Sequence, residues 1–394
     1  MDVNKTLYTI SRFSDISSGN DTYHQRRVTL IAYKIAEGLK FDDFGLNLTL
    51  QAGLIHDTGL LSEASRIETF RQIIDENFKQ LTKHATVSSR IARYFNLHLD
   101  VSNAIGLHHT PSEINPAILG NVLFLADNIE VAYRSISNPF AFNEIYDFIA
   151  QKDKLFDENA LRVFKELSKK EEFWYSLKDD NLDRELLSIV SKHKQKPDRA
   201  DFVKRIAYFV AFLSDSISMF FDNYSILLKN ISVALGYKLS LDIEKLTLAS
   251  LFAHFGNVFI PLDLLNSPSK LDDTEFNIIK SHPYYTKMFL GLLGVDNDII
   301  NMSVYHHENM DKTGYPFKIE ADDRYVQVVK LSSVLAALLQ DRPYRVAYSY
   351  DEAKDIIKEF GFDKSILNIA LELDLKKIYE TKDEYYEGIR RLFI

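Results

Sequence analysis

Residues 51–60 read QAGLIHDTGL, and residues 248–257 read LASLFAHFGN. Each is an apolar run that ends on a histidine just before a glycine, the pattern of a buried helix reaching its C-terminal end. The two stretches belong to a longer repeat. His56, His84, His108 and His109 each have a histidine 198 residues later, at His254, His282, His306 and His307. The chain has only 11 histidines, so four coincidences at one offset are not accidental. IGLHHTPSE (105–113) likewise parallels SVYHHENMD (303–311). After the double histidine the offset grows to 206, where FDENALRVFKEL from Phe156 matches FDKSILNIALEL from Phe362. Two copies of one domain, spanning 20–195 and 203–394, account for these matches.

Around these landmarks the apolar residues recur at helical spacing. Val28, Ile31, Ala32, Ile35 and Leu39 form one stripe, and Val87, Ile91, Tyr94 and Phe95 another. Leu246, Leu248, Ala249, Leu251 and Phe252 form a third. Strict alternations are few and Asn-Gly or Asp-Gly hairpin signals are missing, so the expected fold class is all-α, two tandem helical bundles. The domains are placed at 1–195 and 196–394, with Pro197 breaking a charged linker near Lys192–Asp201. The charged stretch before it reads as one or two exposed helices, with the acidic residues of 171–184 on a solvated face.

Composition narrows the function. The chain has 394 residues, a formal net charge of −9 and no cysteine. Disulfides, cysteine-ligated metals and a cysteine nucleophile are excluded. The acidic balance argues against binding duplex nucleic acid. No apolar run is long enough for a membrane span, and no secretory leader is visible. A cytoplasmic protein with a small-molecule partner is expected, and a homodimer is compatible with the sequence.

His24, His56, Asp57, His84, His108, His109 and Asp127 each lie on or beside an apolar stripe, so all seven can converge inside the first bundle. Buried charges need a partner or a metal. Imidazole and carboxylate together suit Mn, Fe, Co, Ni or Zn. Adjacent His56 and Asp57 can serve two metals about 3.5–4 Å apart, which would hold a bridging hydroxide and polarise phosphoryl oxygens. For His98 and His193 the simpler reading, an ordinary hydrogen-bonded residue, is preferred.

The order H…HD…H…HH…D resembles the HD superfamily of metal-dependent phosphohydrolases. In the second half, AHFGNVFIPLDLLNSPSKLDDTEFNIIKSHP, HHENMDKTGYP and DRPYR resemble the HD-GYP branch, bacterial phosphodiesterases that open cyclic dinucleotides such as cyclic di-GMP or cyclic GMP-AMP. The resemblance covers 15–180 and 205–375. It implies two metals in the first half: one on His24, His56, Asp57 and Asp127, the other on Asp57, His84, His108 and His109. Asp57 would bridge, with His56 and Asp57 at the catalytic centre and a nucleotide as substrate. The first half lacks the GYP loop and carries Leu60 where the family places a lysine. Arg26, Arg27, Lys83 and Arg134 are candidate replacements, Arg27 and Lys83 foremost.

The second half keeps the GYP loop and loses ligands. By sequence register, Phe255 replaces the paired Asp, Val258 the lysine, Asp222 or Ser225 the leading His, and Ser333 the final Asp. This predicts a degenerate site of His254, His282, His306 and His307, in a domain retained for packing, dimerisation or regulation; the alternative is one weakly held metal on these histidines. The alternative to an enzyme is a signalling scaffold that binds a nucleotide or a partner without turnover.

Overall fold

The computed structural model describes residues 1–17, 23–61, 78–135, 142–198 and 201–393. Among them there is no strand, only helices and two isolated bridges, Asn309 with Glu320 and Arg342 with Arg345. The fold is all-α, as the spacing of apolar residues requires. Backbone contacts divide the chain into two compact units, Met1–Ala200 and Asp201–Leu392.

The first unit runs α1 (Val3–Ser17), α2 (His24–Gly38), α3 (Asp43–Ile55), α4 (Phe78–Tyr94), α5 (Leu99–Gly106) and α6 (Ile118–Ser135). It continues through α7 (Phe142–Ala150), α8 (Glu158–Ser168), α9 (Glu171–Ser176) and α10 (Asp179–Lys192). α2 lies between α3 and α6 and is buried on nearly every side. Val28, Ile31, Ala32 and Ile35 supply its apolar stripe. Its polar residues are buried too, and each must find a partner. Thr29 donates to the Gln25 carbonyl, and Arg26 Nε to Asp15 at 2.7 Å.

Between α3 and α4 the chain turns through His56 and Asp57 into a short 3-10 turn, Thr58–Leu61. The Gly59 N–H donates to Ser88 Oγ on α4 at 2.8 Å. A Cβ at Gly59 would collide with the His84 carbonyl, so only glycine lets this turn press against α4. His84 lies well inside α4.

The stretch 158–192 is not simply exposed. Phe164, Phe173, Trp174, Leu182, Leu186 and Val190 are all buried, and Trp174 stacks on Phe142 with ring centroids 5.0 Å apart. Their helical spacing was hidden among charged neighbours. The acidic face also has work: Asp179 and Asp183 take hydrogen bonds from Arg27 and Arg26 of α2.

The second unit repeats this plan with α11 (Phe202–Asp215), α12 (Tyr224–Leu239), α13 (Ile243–Phe252), α14 (Leu262–Leu265), α15 (Asp273–Ile279), α16 (His282–Leu293) and α17 (Asn297–Val304). It ends with α18 (Arg324–Leu338), α19 (Tyr350–Ile357), α20 (Lys364–Leu371), α21 (Leu375–Glu380) and α22 (Glu384–Arg390). Tyr23 and Asn223 precede α2 and α12 with matching left-handed backbones, φ 52° and 59°. Asp42 and Asp242 cap α3 and α13. Tyr8 donates to Asp183 and Tyr208 to Asp383, each at 2.8 Å. The members of all these pairs lie 200 residues apart, so the repeat reaches back through α1 and begins before residue 20.

The register then changes. α13 has 10 residues where α3 has 13. Gly256 donates its N–H to Thr286 Oγ1 at 2.9 Å and meets the His282 carbonyl, as Gly59 does with Ser88 and His84. Gly256 is therefore the counterpart of Gly59. Ala253 stands where His56 stands, His254 where Asp57 stands, and Asn257 where Leu60 stands. This corrects the sequence register, which paired His254 with His56 and Phe255 with Asp57. It also corrects the leading position, which Tyr224 occupies at the start of α12, not Asp222 or Ser225.

Candidate metal centre

In the first unit five elements bring all seven expected residues into one buried cluster. His24 opens α2, His56 and Asp57 close α3, His84 projects from α4, His108 and His109 follow α5, and Asp127 lies on α6. Asp57 sits in the middle. Its Oδ2 lies 3.2 Å from His24 Nε2 and 3.5 Å from His56 Nε2. Its Oδ1 lies 3.3 Å from His84 Nε2 and 3.5 Å from His108 Nε2. Each carboxylate oxygen thus faces its own pair of imidazoles. Asp127 spans the far side, 3.4 Å from His24 Nε2 and 3.6 Å from His109 Nδ1. His84 and His109 bring their Nε2 atoms to 2.9 Å.

Local backbone fixes which nitrogen faces inward. His56 Nδ1 lies 2.9 Å from the Gly53 carbonyl and His108 Nδ1 lies 2.6 Å from the Ile105 carbonyl. Donation from Nδ1 leaves each Nε2 as a lone pair. His56 Nε2, His108 Nε2 and Asp57 Oδ1 are buried without a hydrogen-bond partner. Orphaned acceptors this deep are rare and call for a cation. Two ligand groups of metal-binding proximity share Asp57: His24 with His56, and His84 with His108 and His109. The donor set of neutral imidazole and carboxylate fits divalent transition metals.

The charges agree with this arrangement. Burial would raise the Asp57 carboxyl, but the surrounding imidazoles hold it well below the usual range. Burial pushes His56 down to about 3, helped by His108 and His24, so it stays neutral. Burial also opposes charge on His24, yet Glu130 and Asp57 outweigh it and raise that imidazole.

Glu130 is the residue that sequence reasoning missed. It is fully buried on α6 and reaches His24 Nδ1 at 2.5 Å. It also accepts from Arg27 at 3.0 Å and from Arg134 at 2.7 Å. Burial opposes its ionisation, but His24, Arg134 and Arg27 bring its carboxyl down to about 2. A carboxylate behind a histidine fixes the ring and sharpens its basicity. The available signal was an acid in an apolar run, one helical turn after Asp127.

The cations fall out differently from expectation. Arg27 is engaged by Glu130 and, at 2.5 Å, by Asp179, and Arg26 by Asp15 and Asp183. Both brace α2, because a buried guanidinium needs carboxylates around it. Arg134 is partly exposed and lies 3.4 Å from His24 Nδ1. Lys83 is exposed beside His84. His98 caps α5 through Asp100 N, and His193 bonds Tyr33.

The second unit keeps a cluster of another composition. His254, His282 and His306 converge, and all are buried. Burial pushes His282 down to about 4 and His306 to about 3. Ser333, at the Asp127 position, bonds His254 Nε2 at 3.1 Å and the Tyr224 hydroxyl at 3.0 Å. His307 turns aside and stacks on Tyr315 of the GYP segment, centroids 4.6 Å apart. Glu308 is occupied by the loop, accepting from Phe317 N at 2.6 Å and Lys318 N at 3.2 Å.

A helical bundle that aims imidazoles and a shared carboxylate at one interior point defines a metal-dependent hydrolase domain. Residues 22–132 and 208–363 each match a family model described as the HD domain. The chain belongs to the HD-domain phosphohydrolases and carries two such domains in tandem. It is 23% identical over 381 residues to 3′3′-cGAMP-specific phosphodiesterase 1 of Vibrio cholerae, covering 91% of this chain and 88% of the relative. It is 24% identical to 3′3′-cGAMP-specific phosphodiesterase 3 of the same organism, covering 61% and 53%. A cyclic di-GMP phosphodiesterase of Pseudomonas aeruginosa is 30% identical, over 33% of each chain. The crystal structure of a cyclic GMP-AMP-specific phosphodiesterase of Vibrio cholerae shares the fold, with a TM-score of 0.64, 17% identity and coverage of 98% and 99%. No helix among the described residues is long and apolar enough to cross a membrane.

Proposed function

We propose that the first unit is a two-metal phosphodiesterase that opens a cyclic dinucleotide. The observation that carries this reading is Asp57, whose two oxygens face two separate sets of imidazoles. His24, His56, Asp57 and Asp127 would hold one metal, and Asp57, His84, His108 and His109 the other. Two bound divalent metals supply Lewis acidity toward phosphoryl oxygens and lower the pKa of a water between them. The chain's own part is placement. Asp57 fixes the spacing of the two sets. The Gly53 and Ile105 carbonyls hold His56 and His108 with Nε2 inward. Glu130 orients His24 against Asp57. Lys83 and Arg134 are the cations proposed to meet the phosphates at the rim.

The substrate class is supported by the relatives, which are named for cyclic GMP-AMP and cyclic di-GMP. The test is chromatography of 3′3′-cGAMP and cyclic di-GMP incubated with the full chain under Mn, Fe(II), Co, Ni or Zn. Linear dinucleotide is expected with at least one metal and none after chelation. Intact substrate under every metal would sink the reading.

A further inference from the structure

The second unit has lost every carboxylate that serves the first. His254 fills the Asp57 place, Ala253 the His56 place, Tyr224 the His24 place and Ser333 the Asp127 place. What remains is three imidazoles whose ligand atoms lie within 4.8 Å of one another. Their orientation is fixed from behind. His282 Nδ1 lies 2.9 Å from the Ile279 carbonyl, and His306 Nδ1 lies 2.6 Å from the Ser303 carbonyl. A carbonyl oxygen only accepts, so both Nδ1 atoms carry the proton. Both Nε2 atoms are then lone pairs, yet they face each other at 3.4 Å. Two facing lone pairs in a buried site repel unless a cation lies between them. Two imidazoles on one four-coordinate ion, with bonds of about 2.0–2.1 Å, place their nitrogens about 3.3–3.4 Å apart.

We propose that the second unit holds a single divalent transition-metal ion on His254, His282 and His306. The site is mononuclear, because His254 at the Asp57 place offers a single lone pair to a single ion. An all-imidazole set selects Zn, Co, Ni or Cu over the oxygen-seeking Mg and Ca. Tyr224 and Ser333, 3.3 and 3.1 Å from His254 Nε2, place hydroxyls beside the ion and leave it net positive. The proposal stands apart from the two-metal reading of the first unit.

The test is Co(II) alone, added without oxygen to chelated full-length protein, with metal content and the visible d–d spectrum as readouts. In Asp57→Ala/His84→Ala, which dismantles the first centre, one cobalt per chain and the intense bands of four-coordinate cobalt are expected to persist. Adding His306→Ala or His306→Gln removes both. Two replacements guard against a folding failure in either, and circular dichroism reports the fold. A folded Asp57→Ala/His84→Ala protein without cobalt overturns the proposal. So does cobalt whose amount and spectrum are indifferent to His306.

Discussion

The two units share a scaffold and differ at its centre. Both use the same left-handed turn before the second helix, the same aspartate caps and the same glycine pressed against a histidine-bearing helix, α4 in one and α16 in the other. In the first unit that scaffold presents Asp57 with four imidazoles around it. In the second it presents His254, with Tyr224 and Ser333 where His24 and Asp127 stand. The backbone that positions ligands is therefore separable from the ligands. A bridging carboxylate carries negative charge to two sites at once, whereas an imidazole offers a single lone pair to one.

The sharpest way to break the comparison is to make the first centre resemble the second. Asp57→His puts an imidazole where His254 stands in the other unit. Turnover of the cyclic dinucleotide is expected to fall on the order of 1,000-fold, the scale of losing a principal electrostatic element of a site. Metal content should fall with it while circular dichroism holds. Turnover within tenfold of the parent chain would mean that Asp57 does not bridge.

A smaller effect is expected one layer out. Glu130 orients His24; in the second unit Ala336 stands at its position and Tyr224 replaces the histidine. Glu130→Gln keeps the shape and removes the charge that His24, Arg27 and Arg134 share. Replacing such an outer carboxylate costs about 10- to 100-fold in metal affinity or activity. Competition with a chelating dye would show that loss for one metal and spare the other. Equal weakening of both metals would assign Glu130 to folding.

Much of this was legible in the sequence because histidines are few and apolar stripes have a period. The stripes around His24, Asp57 and Asp127 are enough to put those residues inside the bundle. Counting histidines, however, imposed an offset of 198 on His254, and the structure ties the register to Gly256 and Thr286 instead. A shortened helix moves the register without leaving a mark in composition. Glu130 escaped because an acid beside Asp127 looks like a helix surface until α2 is seen to cross it. Trp174 and its neighbours escaped because charged residues fill the gaps between them.

The smallest contrast concerns a buried aspartate at the end of the first helix of each unit. Asp15 meets Arg26, whose Nε lies 2.7 Å away. Among the described residues Asp215 meets no such cation, and Ile226 stands where Arg26 does. It accepts from Tyr386 at 2.6 Å and from Ser225 Oγ at 2.7 Å. Burial outweighs these bonds and pushes the Asp215 carboxyl up to about 7. An unfolded aspartate titrates near 3.9, so between roughly pH 4 and 7 the folded chain keeps a proton that the unfolded chain has released. Stability from this group is therefore full below about pH 4 and falls as pH rises toward 7. A tenfold difference in proton affinity is worth about 1.4 kcal/mol, and about three such factors separate the two states, an upper bound of about 4 kcal/mol. Asp215→Asn retains acceptor oxygen for Tyr386 and removes the titration. Thermal midpoints at pH 5 and 7.5 should show the parent chain losing several degrees more than the variant on the way up. Parallel losses would mean that Asp215 is ionised throughout.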